Sequence, residues 1–88
     1  MYETDPDDRF EAALRLSEVD PVRGAEALDS IVASNGYDSD ERFEAALRLS
    51  EVDPVRAAAR LRSICESHEF DRDTRDEAAH RLSELELA

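Results

Sequence analysis

The stretch Arg9-Phe-Glu-Ala-Ala-Leu-Arg-Leu-Ser-Glu-Val-Asp-Pro-Val-Arg23 recurs without a change at Arg42 to Arg56, and a diverged third copy starts at Arg75. The offset from Arg9 to Arg42 and from Arg42 to Arg75 is 33 residues. A period of that length in a helix-forming composition predicts stacked helical units that bury a continuous core between neighbours. The expected fold is all-α, a short α-α superhelix (solenoid) of five antiparallel helices in a single domain over residues 1–88. Its repeat units are 5–37 and 38–70, followed by a half unit at 71–88.

Each copy carries the same punctuation. Asp5, Asp38 and Asp71 precede runs with further acid in the first turn, where a side-chain carboxylate accepts from free backbone N–H groups and the helix dipole favours negative charge. Ala12, Ala13, Leu16 and Val19 then recur at helical spacing, as do Ala45, Ala46, Leu49 and Val52, and Ala78, Ala79, Leu82 and Leu85. Asp20-Pro21 and Asp53-Pro54 end one helix and open the next, since the residue before proline avoids the α region while proline suits the first helical position. Val22, Ala25, Leu28, Ile31 and Val32 form the stripe of the second helix type, repeated as Val55, Ala58, Leu61, Ile64 and Cys65. Asn35-Gly36 is suited to close the first of these in the left-handed region. Tyr37 and Phe70 are expected to fold back as apolar anchors. The predicted helices are 6–19, 21–35, 39–52, 54–68 and 72–86, with Glu11–Arg15, Glu44–Arg48 and Glu77–Arg81 as i,i+4 pairs on the solvent side.

The third copy replaces Phe10 and Phe43 by Asp76, and Leu14 and Leu47 by His80, while keeping the alanine and leucine stripe. Polar residues on one face of the last helix are what a capping unit needs, so the chain reads as complete at its C-terminus. Phe10 and Leu14 have no such polar replacement. They point to an apolar N-terminal helix face through which copies could associate.

Composition narrows the function. The chain has 23 acidic and 11 basic residues, every basic one an Arg, and a formal net charge of −12. Such a field repels nucleic acid and anionic membranes and favours partners with a basic surface. Absent Lys beside abundant Ala, Arg, Asp and Glu matches the coding bias of a GC-rich bacterium or a salt-adapted archaeon. One cysteine, Cys65, permits no internal disulfide. With an acidic N-terminus and no long apolar run, the reading is a cytoplasmic protein.

The pattern Asp38, Asp40, Arg42, Ala45, Ala46, Leu49, Val52, seen again from Asp71 to Leu85, resembles the second helix of HEAT repeats. The resemblance covers nearly the whole chain and implies that it starts in mid-repeat, with the helices at Pro21 and Pro54 as first helices of the following units. Tetratricopeptide repeats share the period but place their large aromatic, glycine and proline positions differently. Either resemblance implies a scaffold, adaptor or regulatory module.

No glycine-rich phosphate loop, zinc spacing or serine-histidine-acid set is present, so an enzyme, a cofactor and a metal are not expected. Cys65 and His68, three apart, supply only two ligands, and Cys65 replaces Val32 on a core stripe. The Asp-x-Asp runs lack the glycine and glutamate of a calcium loop and are explained as caps. The two copies differ in their second helices, where Glu26, Ala27, Asp29 and Ala33 become Ala59, Arg60, Arg62 and Glu66. Glu26, Asp29, Arg56, Arg60, Arg62 and Glu66 are therefore the expected contacts for a partner protein. For the cluster Arg56, Arg60 and Arg62, neutralisation of nearby carboxylates is the competing explanation. The expected function is a non-enzymatic interaction module; the alternatives are an acidic inhibitor or decoy of immunity or nucleic-acid-mimic type, and a structural or engineered repeat protein.

Overall fold

The computed structural model describes residues 6–34 and 36–87, all of its regular structure helical. The helices are α1 (Pro6–Val19), α2 (Pro21–Ala33), α3 (Ser39–Val52), α4 (Pro54–Glu66) and α5 (Arg72–Leu87). The starts agree with the residue chemistry. Asp38 Oδ1 accepts from the Glu41 N–H at 2.8 Å and Asp71 Oδ1 from the Thr74 N–H at 2.7 Å. The third expected cap, Asp5, lies outside the described residues.

Asp20 and Asp53 do more than end a helix. The Asp20 N–H donates to the Leu16 carbonyl at 2.7 Å, closing α1, while Asp20 Oδ1 accepts from the Arg23 N–H at 3.3 Å, opening α2. Asp53 repeats both contacts, to Leu49 at 2.8 Å and from Arg56 at 3.2 Å. One residue in a non-helical conformation thus serves as C-cap and N-cap together, which makes the corner a single residue long.

The expected glycine closure of α2 is not what ends it. No described residue has a positive φ, Gly36 included; Asn35 lies outside the described residues. Instead Ser34 turns to extended backbone, its N–H donates to the Ile31 carbonyl, and its Oγ accepts from the Gly36 N–H at 3.0 Å. Ser67 repeats this with Ile64 and Glu69. A serine that bonds the backbone two residues on supplies the turn without glycine, which also explains why α2 and α4 stop two residues short of the expected ends.

Each helix packs chiefly on its sequence neighbours, with lighter contact between α1 and α3, α3 and α5, and α2 and α4. Alternate helices therefore share a side, and the molecule measures 43 × 27 × 14 Å along its principal axes. Its core joins Leu28, Ile31, Val32, Ala45, Ala46, Leu49, Ala57, Leu61, Ile64, Phe70 and Ala78. Phe70 is buried, as expected of an anchor, and Tyr37 packs half-buried against the same cluster.

The outer ends of the stripes depart from expectation. Val22 and Val55 are 70% and 84% exposed, and Val19 is 82% exposed. The first two occupy the opening turn at each corner, outside the helix crossing, where Gly24 and Ala57 take the inner position. Of the expected i,i+4 pairs only Glu11–Arg15 forms; Arg48 and Arg81 turn instead to Glu51 and Glu84. All are exposed and stabilise little.

Candidate functional site

The residues expected to meet a partner are scattered; Arg60 pairs with Asp29, while Arg56 and Arg62 pair with other carboxylates of the chain. Arg60 reaches from α4 to α2, donating from Nε to Asp29 Oδ1 at 2.5 Å and from Nη2 to Asp29 Oδ2 at 3.1 Å. These bonds hold the guanidinium more firmly protonated than usual, against the opposing effect of burial. Arg62 meets Glu86 of α5 at 3.4 Å, and Arg56 meets Asp53 at 3.6 Å. Each arginine of the cluster thus neutralises a carboxylate of this chain. Glu26 and Glu66 are exposed on α2 and α4.

A different surface is open. α3 is covered on two sides, by α2 and by α4, whereas among the described residues α1 has only α2 beside it apart from a light contact with α3. The consequence is read in alanines of identical local sequence. Ala45 and Ala46 of α3 are both 0% exposed. In α1, Ala13 is buried but Ala12 is exposed; in α5 the pattern reverses, with Ala78 buried and Ala79 exposed. The first alanine of each pair therefore faces the preceding helix and the second the following one. Leu49 is fully buried between both neighbours, while Leu16 and Leu82 are half-buried.

On the side of α1 where the described residues place no helix there is a groove of about 440 Å³. Arg9, Ala12, Ala13 and Leu16 line it from α1, and Ala27, Ser30, Ile31, Ser34 and Tyr37 from α2 and the turn after it. The corresponding place on α3 and α4 holds α2. There Arg42 Nε donates to the Val32 carbonyl at 2.9 Å, the guanidinium stacks 4.9 Å above the Phe70 ring, and Nη1 lies 3.5 Å from Glu69. The Arg42 side chain is 13% exposed, while Arg9 lies exposed at the rim of the groove.

Phe10 and Leu14, expected to form an apolar edge, are half-buried against the core. The open apolar face of α1 lies on the opposite side, at Ala12, Leu16 and Val19. A signal for it existed in the sequence: a helix with apolar residues on both flanks of its stripe needs two neighbours, and the described residues give α1 one closely packed neighbour, α2. Asp76 and His80 of α5 are exposed, as their polarity suggested.

Cys65 is half-buried, and burial pushes its thiol up. His68 lies beyond the end of α4, in a turn, not on the helix as expected. Among the described residues no group of three or more His, Cys, Asp or Glu is placed to hold a metal ion. Nor among them is any helix long and apolar enough to cross a membrane. Comparison with family models, with curated proteins and with solved structures returns no match.

Proposed function

We propose that this chain is a non-enzymatic protein–protein interaction module, a small adaptor or regulatory protein built as a HEAT-like α-α solenoid with a 33-residue period. The units are 5–37, 38–70 and 71–88. The observation that carries this reading is the open groove on α1 and α2, apolar at Ala12, Leu16, Ala27 and Tyr37 in a chain otherwise coated with acid. An arginine at the rim and a lining whose hydroxyls, on Ser30, Ser34 and Tyr37, have no acid or imidazole beside them in the groove support binding over turnover.

The test is affinity capture from a lysate of the source cell at ~0.15 M and ~0.5 M salt, with Leu16→Glu protein as the control. A partner retained at high salt and lost with Leu16→Glu is the expected result, since apolar burial persists when charges are screened. The charge of −12 favours the second reading, an acidic decoy for a basic groove. That reading predicts capture only at low salt, unaffected by Leu16→Glu.

A further inference from the structure

We infer that the occupant of the α1–α2 groove is an amphipathic α-helix of a partner protein, neutral where it passes Ala27 and ending with a backbone carbonyl over Arg9. This rests on reading the groove as the binding surface and specifies what binds there.

The argument uses the place where the molecule fills the same kind of groove itself. Thirty-three residues on, Arg42, Arg60, Ile64, Ser67 and Phe70 again line the wall, the equivalents Ala45 and Leu49 are fully buried, and the helix packed there is α2. Two contacts fix α2 there. At its C-terminal end the Val32 carbonyl, one of the last-turn acceptors left free by the helix, takes the Arg42 Nε–H. Midway, Asp29 takes both N–H groups offered by Arg60.

The α1–α2 groove keeps the first feature and lacks the second. Arg9 stands where Arg42 stands, exposed and, among the described residues, without a bonded partner. Ala27 stands where Arg60 stands, so an acid at the Asp29 position of an incoming helix would face an apolar wall in a protein of net charge −12. Leaving a carboxylate unpaired there costs more than a neutral side chain, and the long-range field adds to that cost. Charge therefore selects against an acidic helix and selects for one with a small neutral residue at that position.

The chain's own α2 supplies a probe. A peptide of residues 20–34, stapled between positions 26 and 30, which are solvent-exposed in the fold, holds its helix without tertiary support. Fluorescence anisotropy is measured with full-length protein for the native peptide and for the same peptide carrying Asp29→Ala. The expected result is saturable binding, about ten-fold tighter for the Asp29→Ala peptide. Arg9→Ala in the protein should weaken it several-fold and Leu16→Glu at least ten-fold, with circular dichroism confirming that both variants fold. Binding that is absent, or indifferent to Leu16→Glu, overturns the helical occupant; a lysate partner lost with Leu16→Glu would leave the adaptor reading standing in that case. Sedimentation that shows the chain alone to dimerise, with the dimer abolished by Leu16→Glu, overturns the proposal in favour of a second copy.

Discussion

Gly24 and Ala57 occupy the same place in the two long repeats, yet they are not interchangeable. A methyl group on Gly24 would overlap the Cα and backbone N of Ser17, so α1 and α2 approach more closely than a side chain allows. Ala57 is fully buried and tolerated at the corresponding place. Gly24→Ala is expected to destabilise the protein by about 1–3 kcal/mol, because backbone cannot yield as a flexible side chain does. Ala57→Gly is expected to cost only about 0.5–1 kcal/mol. Urea unfolding of both variants checks this, and a stabilised Gly24→Ala would refute the close approach. The Asp29–Arg60 pair, part-buried and bidentate, should show a coupling of about 1–2 kcal/mol in a double-mutant cycle. The Asp71 carboxylate is held below its ordinary value, chiefly by the Thr74 N–H and then by the Thr74 hydroxyl. Its contribution is therefore present above the unfolded value and lost as pH falls through the folded one. Stability measured from neutral pH into acid should decline less steeply for Asp71→Asn than for the native chain.

At the scale of elements, helix starts were legible in the sequence because they depend on local chemistry. Asp38, Asp71 and the Asp-Pro pairs carry their own hydrogen-bonding logic, and α2, α3, α4 and α5 begin where those residues put them. Helix ends were less legible, since Ser34 does the work expected of Gly36, Ser67 repeats it where no glycine stands, and a serine is common everywhere. Burial was the least legible property. Arg9–Arg23 and Arg42–Arg56 are identical in sequence, yet Leu49 is fully buried and Leu16 is not, because burial depends on how many helices adjoin. The same reason explains why the pairing of Asp29 with Arg60 was not legible: the bond joins positions on different helices that no local pattern relates. Leu49→Ala should then cost about 2–5 kcal/mol, the usual range for a buried leucine, and Leu16→Ala less than half as much. Equal losses in thermal or urea unfolding would contradict the uneven covering of α1 and α3.

At the scale of the whole molecule, two properties pull against each other. A charge of −12 on 88 residues repels itself, so the unfolding midpoint should rise between low and moderate salt. On the proposed reading, the same charge keeps an exposed apolar groove from indiscriminate association and selects an occupant of suitable charge. The central claim is that the α1–α2 face is an unfilled copy of the seat that α2 takes on α3 and α4. The most direct measurement is the urea unfolding of a chain in which a second copy of residues 20–37, carrying Asp29→Ala, is joined ahead of Asp5, reproducing the Tyr37–Asp38 junction. The account predicts that the added helix docks, raising stability by at least about 2 kcal/mol as Leu16 and its neighbours leave water. An unchanged midpoint, with the added segment unfolded, would contradict it.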